Sequence, residues 1–267
     1  EAIGVVDRYA SAAPASASAR HRLFVASCVL RSPPHFSRGA DRRGVESSGL
    51  PGEAEKVICC VSNIVRRQHQ LGLLLHVLLL DRGIAVRALV RPASAARAAL
   101  DPRCEVVAGE LTDPAAWSRA LDGAGAVVYG AGAVRGRDYQ DFVPANVAGV
   151  AIMAAVMAEL AAPPPVVLLS SLAASRPYLS HYAGSKRAGE RALTDSALAR
   201  WTVLRPPAVY GPGDEEMRPL FDLVRRGIAL RPGPPGQRLS LLHVDDLVRA
   251  VAAALTAPEA CRGQTFA

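Results

Sequence analysis

Aromatic residues are scarce: two Trp, six Tyr and five Phe make up 5% of the 267 positions. None of them falls between residues 56 and 100, the one stretch with a strong excess of positive charge. That stretch carries Lys56 and six Arg against Asp81 alone, which accounts for +6 of the chain's net +7. A nucleic-acid surface usually draws basic residues from several elements and interleaves them with aromatics. The pattern therefore argues against nucleic-acid binding and for a local anion site. The five cysteines (Cys28, Cys59, Cys60, Cys104 and Cys261) show neither metal-ligand spacing nor an even count. No metal site is expected, and the compartment is expected to be reducing. Cys59 and Cys60 adjoin in an apolar run, where buried free thiols are common. Long hydrophobic runs are missing too. The longest are about ten residues, short of the roughly 20 that cross a bilayer, so no membrane span is expected.

Residues 1–55 lack both helical and strand periodicity. "SAAPASASAR" and "LRSPPHFSRGADRRG" are rich in Ala, Ser, Arg and Pro, and acids are missing between Asp7 and Asp41. An organelle transit peptide has such a composition, and so does a disordered leader. The leader is the preferred expectation, which makes the chain cytoplasmic; organelle targeting is the alternative.

From Lys56 onward the pattern changes. Short apolar or β-branched runs predict strands near 57–61, 85–90, 104–108, 126–130, 165–170 and 201–205. Helical patterns lie near 72–82, 93–100, 114–122, 140–161, 179–198, 215–227 and 244–256. Strands alternating with helices imply a parallel sheet with crossover helices. Six strands on an open sheet predict an α/β, doubly wound, Rossmann-like domain over 56–267, with ligands at the carboxyl ends of the strands. Residues 206–267 are read as a small, apparently truncated substrate lobe within it.

The strongest chemical signal is "SHYAGSKRAGE", residues 180–190. Tyr182 and Lys186 stand four apart in a helical pattern, so both project from one face. An ammonium beside a phenol favours the phenolate, and a lowered Tyr182 pKa is expected. Tyr182 then suits proton transfer to or from a carbonyl/alcohol pair. Surface helices also produce this spacing by chance, but the context adds weight. About a dozen residues upstream, "PVVLLSSLAAS" is a buried strand ending in two serines, and Ser171 is placed to bond a substrate oxygen. His181 and His243 are read as bystanders, with Asp245 and Asp246 suiting the start of a helix.

With "RGIAVRALVRPAS", "VVAGELTDP", "VVYGAGAVRG", "NVAGV", "VVLLSSLAAS", "YAGSK", "WTVLRPPAVYGPGD" and "LSLLHVDDLVRA" in order, residues 56–267 resemble the extended short-chain dehydrogenase/reductases, in particular the epimerase/dehydratase-like and dihydroflavonol-reductase-like proteins. The resemblance implies that Tyr182 transfers the proton, Lys186 lowers its pKa and holds the nicotinamide ribose, and Ser171 polarises the substrate oxygen. It places Glu110 and Leu111 against adenine, and Gly130, Ala131 and Gly132 where the backbone approaches the cofactor. Asn146 becomes structural or part of a proton relay. Pro206, Val209 and Tyr210 would flank the nicotinamide and substrate. The position at which NAD-preferring members carry an acid is Val90, followed by Arg91. A guanidinium there suits a 2′-phosphate, so NADP(H) is expected over NAD(H).

One part of the family pattern is missing. The family's strand–TGxxGxxG–helix lets the pyrophosphate reach a helix N-terminus. In "KVICCVSNIVRRQHQLG" Gly72 stands for the third glycine, the first two are absent, and about five residues are extra by the same motif. Three readings are open: a rebuilt loop in which Arg66 and Arg67 supply charge, a pseudoenzyme that kept the fold without the cofactor, or a wrong frame or exon joined upstream of about Leu73. The chain also ends at "GQTFA", where extended members usually continue. The expected function is an NADP-dependent oxidoreductase or epimerase/dehydratase-type enzyme acting on a small molecule such as a sugar nucleotide, possessing no metal and forming a homodimer. The alternative is a non-catalytic binding or assembly protein on the same fold.

Overall fold

The computed structural model describes residues 56–60, 71–94, 99–212, 214, 217–228 and 238–267. The expectations for the leader 1–55, for Arg66, Arg67 and the turn around them, and for residues 95–98 of the helix at 93–100 lie outside the described residues. The described residues fall into two units, one holding those of 56–214 and 240–267, the other those of 217–228 and 238–239.

The larger unit is organised by a seven-stranded parallel sheet. Its strands are β1 (Lys56–Cys60), β2 (Val86–Val90), β3 (Glu105–Ala108), β4 (Ala124–Tyr129), β5 (Val166–Leu169), β6 (Trp201–Leu204) and β9 (Gln264–Phe266), in the order β3-β2-β1-β4-β5-β6-β9. The first six reproduce the doubly wound order, which reverses direction between β1 and β4. The six expected strands are all present. The seventh, β9, pairs with β6 in register Thr202↔Gln264 to Leu204↔Phe266. A separate parallel pair joins β7 (Ala208–Tyr210) to β8 (Leu241–His243).

Side chains alternate across a strand, and here both faces are apolar. Along β4, Ala126 and Val128 enter one core while Val127 and Tyr129 enter the other; along β5, Val167 and Leu169 oppose Val166 and Leu168. A parallel sheet covered on both faces by crossover helices requires this. Helices α1 (Leu71–Leu80) and α6 (Val244–Thr256) supply Leu75, Leu79, Leu247, Val248 and Val251 to the first core. Helices α2 (Pro114–Leu121), α3 (Gly149–Ala158) and α4 (His181–Thr194) supply Trp117, Met153, Met157 and Leu193 to the second. Burying each such side chain contributes about 1.5–3 kcal/mol.

Local chemistry sets the helix ends. Asp113 accepts from the Ala115 amide at 2.9 Å ahead of Pro114, and Ser180 accepts from the Ala183 amide at 3.1 Å. Both are side-chain caps for donors that the helix leaves unpaired. Two arginines of the basic stretch serve the same economy: Arg82 donates to the Leu78 carbonyl at 2.9 Å, and Arg87 to the Ala120 carbonyl at 2.8 Å and the Asp122 carbonyl. Arg87 also pairs with Glu105 at 2.9 Å. Part of the charge excess is therefore spent on the carbonyl ends of α1 and α2, a correction to reading the whole stretch as an anion site. Within the smaller unit, helix α5 (Arg218–Arg225) carries Asp222 between Arg218 at 3.8 Å and Arg225 at 3.7 Å. Among the described residues no helix is long and apolar enough to cross a membrane.

The single helix expected over 140–161 is three pieces: a 3-10 turn at Tyr139–Asp141, a π-helical turn at Pro144–Ala148, and α3. The π turn follows from close packing on its outer side. A side chain at Gly189 of α4 would collide with the Asn146 backbone carbonyl, and one at Gly149 with the Tyr129 hydroxyl. That hydroxyl donates to the Ala145 carbonyl at 2.6 Å. Single-turn π segments occur often at functional sites.

The contact at Gly189 makes a prediction. Alanine is favoured over glycine in a helix by roughly 0.5–1 kcal/mol, but here the obstacle is backbone that cannot rotate away. Gly189→Ala should therefore destabilise the protein by about 1–3 kcal/mol, read as a lower midpoint in urea unfolding. A variant as stable as the parent would show that α4 and the π turn do not meet this closely.

Candidate active site

Leu169 ends strand β5, and Ser170 and Ser171 follow it. Each of the three meets helix α4. The Leu169 carbonyl accepts from Lys186 Nζ at 3.0 Å. Ser170 Oγ donates to Glu190 Oε1 at 2.5 Å. Ser171 stands close enough to the Tyr182 phenol to lower its pKa, and its Oγ accepts from the Ala173 amide at 3.2 Å. Tyr182, Lys186 and Glu190 lie four residues apart and so share one helix face. The sequence-predicted trio of Ser171, Tyr182 and Lys186 thus meets at the carboxyl edge of the sheet, where this fold binds its ligands. The Tyr182 ring packs on Phe142 with centroids 6.3 Å apart.

The electrostatics correct one expectation. Burial pushes the Tyr182 phenol up, and the nearby Ser171 offsets this only in part. Burial also pushes Lys186 down to about 8, while the Glu190 carboxylate acts the other way. The Lys186 ammonium donates to the Leu169 carbonyl instead, and burial of the phenol disfavours its charged form. The result is a phenol that keeps its proton at neutral pH beside a lysine that can lose one slightly above it.

Asn146, 2% exposed, is held on every side. Its Oδ1 accepts from the Ala133 amide at 2.8 Å; its Nδ2 donates to the Ala133 carbonyl at 2.9 Å and to Ser185 Oγ at 2.8 Å. Ser185 Oγ in turn donates to the Tyr182 carbonyl at 2.8 Å. The loop after β4 is thereby fixed to the first turn of α4. In that loop a Cβ on Gly132 would stand 3.0 Å from Lys186 Nζ and 3.1 Å from Asn146 Oδ1. Gly132 leaves room beside Lys186, and Ala131, next to it, is buried.

The remaining predicted residues lie along the same sheet edge or close to it. Gly72 is the second residue of α1. Val90 ends β2 fully buried, and Arg91 follows it with a buried Nε that has no hydrogen-bond partner. A buried unpaired donor costs about 1–3 kcal/mol, so an anionic acceptor at this place would remove a penalty as well as add an attraction. Glu110 is exposed; Leu111 is buried, and its carbonyl accepts from Trp117 Nε1 at 2.8 Å. Pro206 is buried, and its carbonyl accepts from the Leu172 amide at 2.9 Å. Val209 packs on the first core, and Tyr210 meets the His243 ring edge-on at 5.2 Å.

The two histidines have local roles. His181 is exposed, 6.4 Å ring to ring from Tyr139. His243 caps α6, accepting from the Asp245 amide at 3.3 Å. An open hollow of about 560 Å³ lies beside Tyr139, Tyr178, Leu179 and His181, along the face of α4 that carries His181 and Gly184. Among the described residues no group of three or more His, Cys, Asp or Glu could hold a metal ion.

Sequence reasoning passed over Glu190 and Arg205. Glu190 is 2% exposed and takes both guanidinium arms of Arg205, at 2.8 and 2.6 Å, together with Arg187 at 2.9 Å. Its signal was present, since Glu190 follows Lys186 by four in "SKRAGE".

Comparison with known proteins agrees with this architecture. Residues 69–221 match the family model described as NAD(P)H-binding. A ceramide reductase from Caulobacter vibrioides is 42% identical over 149 residues, 55% of this chain and 45% of that protein, so the chain spans about half the relative's length. The Bordetella bronchiseptica enzyme WbmG, solved with NAD and UDP, superposes with a TM-score of 0.64 at 20% identity, covering 80% of this chain and 73% of that one. MoeE5 with UDP-glucose and NAD gives 0.61 at 22% identity, covering 79% and 74%. A short-chain dehydrogenase/reductase superfamily protein from Agrobacterium tumefaciens with bound NAD gives 0.54 at 19% identity, covering 79% and 76%. On the match over residues 69–221 the chain belongs to the NAD(P)H-binding family, and the solved neighbours share its fold.

Proposed function

We propose that this protein is an NADP(H)-dependent oxidoreductase that works chiefly as a carbonyl reductase on a small molecule. The observation that carries the reading is the convergence of Ser171, Tyr182 and Lys186 on one point at the carboxyl edge of the sheet. The cofactor, when bound, supplies hydride to the carbonyl carbon. Ser171 holds the substrate oxygen, and Tyr182, its phenol protonated at neutral pH, donates the proton that oxygen needs. Lys186 stabilises the phenolate left behind and, from beside Gly132, is in place to bond a ribose hydroxyl. The cradle at Gly132 and the unpaired Nε of Arg91 both fit the group, at its nicotinamide and 2′-phosphate ends. Gly72, Glu110, Leu111, Ala131, Pro206 and Val209 complete the cofactor's path, and Tyr210 stands on the substrate side.

The name of the 42% identical relative points to a reductase, making a ceramide-type lipid the first substrate to test ahead of a sugar nucleotide. The reading includes a cytoplasmic homodimer. Ala151, Ala155 and Ala158 expose one apolar face of α3, which a second copy would cover; light scattering at twice the chain's mass is the expected result, and a monomer would refute it.

A second reading, a non-catalytic protein on this fold, is favoured by the absence of the first two loop glycines in residues 56–72. Cofactor binding separates the two. At a hundred times its dissociation constant a ligand stabilises by about 2.7 kcal/mol, so saturating NADPH should raise the unfolding temperature visibly. No rise from a folded protein selects the second reading. Arg91→Ala should reduce the effect of NADPH more than that of NADH, and equal losses would count against the 2′-phosphate assignment. Tyr182→Phe should abolish turnover, by roughly the 10²–10⁴-fold of a lost acid/base group or more, with cofactor stabilisation nearly unchanged. A fully active variant would remove Tyr182 from the mechanism.

A further inference from the structure

Glu190 is a carboxylate placed where a carboxylate is costly. It is 2% exposed, and removing such an ion from water costs several kcal/mol unless its oxygens are well bonded. Here they are: Oε1 accepts from Ser170 Oγ and Arg205 Nε, and Oε2 accepts from Arg205 Nη2 and Arg187 Nη1. Burial pushes the carboxyl pKa up, but the bonds from Arg205, Ser170 and Arg187 together hold it below the usual range. Its partners belong to different elements. Ser170 leaves β5 and donates its amide to the Leu204 carbonyl at 2.8 Å; Arg205 leaves β6 and donates its amide to the Phe266 carbonyl of β9 at 2.8 Å. One side chain on α4 thus gathers the carboxyl ends of β5, β6 and β9.

We propose that Glu190 is a positioning residue, clamping the end of β5 to α4 so that Ser171 meets Tyr182, and supplying the counter-charge for the Lys186 ammonium. For the reaction this rests on the oxidoreductase reading above; the charge of Lys186 can be tested without it. The groups facing that ammonium are the Leu169 carbonyl from β5, the Asn146 amide from the π turn, the Gly132 backbone after β4, and Glu190 on its own helix, where Tyr182 also shares its face. Of these, Tyr182 and Glu190 titrate, and Glu190 alone carries negative charge at neutral pH. Lys186 sits near 8 with the carboxylate's help. Its cationic form is therefore complete well below pH 8 and lost as pH rises through that value. Removing the carboxylate moves the loss to lower pH.

Lysine is rare enough here for the charge to be read directly, because Lys56 and Lys186 are the chain's two lysines. Full-length protein labelled with ¹³Cε-lysine gives two resonances, assigned with Lys56→Arg. In the parent, Lys186 should titrate near 8. In Glu190→Gln its midpoint should fall by about one pH unit, and the alkaline limb of kcat/KM for carbonyl reduction should move down with it. Glu190→Asp, which keeps the charge, should hold the midpoint near the parent's. A residue with a packing role alone would lower stability without moving either titration. If Glu190→Gln does not fold, Arg187→Met, which leaves the carboxylate less neutralised while Arg205 still holds it, is read in its place, and the Lys186 midpoint should then rise. A Lys186 midpoint unmoved in a folded variant overturns the inference whatever the activity. A parent without turnover overturns the oxidoreductase reading and leaves the titration to decide this one.

Discussion

The seating of helix α4 against the carboxyl end of β5 is the contact on which the rest of the site depends. A parallel sheet delivers its strand ends to one edge, but it does not by itself aim a side chain. Aim comes from two bonds in sequence, Leu169 to Lys186 and Ser170 to Glu190, which bring Ser171 beside Tyr182. Strand residues advance about 3.3 Å each, and helix residues four apart advance about 6 Å. The two ladders cannot stay in step, and here the bonds do not run in order. Lys186 reaches back to 169, Glu190 takes 170, and Tyr182 meets 171 at the open end.

That seating requires closeness elsewhere. Gly189 lets α4 rest on the backbone of the π turn, and the turn places Asn146 where it joins the loop after β4 to Ser185. Asn146 has its amide fully committed to these bonds. Its contribution is rigidity around Lys186, in keeping with the structural half of the role its sequence position suggested. A buried polar network is tolerable only when its members are satisfied, and this one is, from Ala133 through Asn146 and Ser185 to the Tyr182 carbonyl.

How much of this the sequence disclosed divides along physical lines. Strand order and the two apolar faces follow from runs such as "PVVLLSS", because a strand buried on both sides leaves a continuous apolar signature. Tyr182 and Lys186 were legible because four-residue spacing fixes a helix face whatever surrounds it. The π turn was hidden, since one extra residue in a turn barely disturbs a 3.6-residue period, and 140–161 therefore reads as one helix. Strands β7, β8 and β9 are three residues each, too short to carry a period. The sign of the Tyr182 shift was also out of reach. It depends on how much water burial removes and on where the ammonium spends its bonds, neither of which spacing encodes. Arg82 and Arg87 illustrate the same limit: counted as charge they suggested an anion site, while packing turned them onto helix carbonyls.

What remains distinctive is the division between the two ends of the cofactor path. At the end proposed for the nicotinamide, Lys186, Asn146 and Glu190 are hydrogen-bonded into place, and Gly132 stands close against Lys186. Toward the adenosine end the described residues offer one buried, unpaired guanidinium nitrogen on Arg91, while the residues between β1 and α1 include none of the family's first two glycines. Affinity for a dinucleotide is a sum over its length, whereas hydride and proton transfer depend on geometry at one end. A weakened pyrophosphate contact would therefore raise the cofactor concentration needed without displacing Tyr182 or Ser171. It would also transfer the burden of recognition to Arg91. Of the contacts along this path, the one made by a charged fork to a 2′-phosphate is among the few strong enough to carry it.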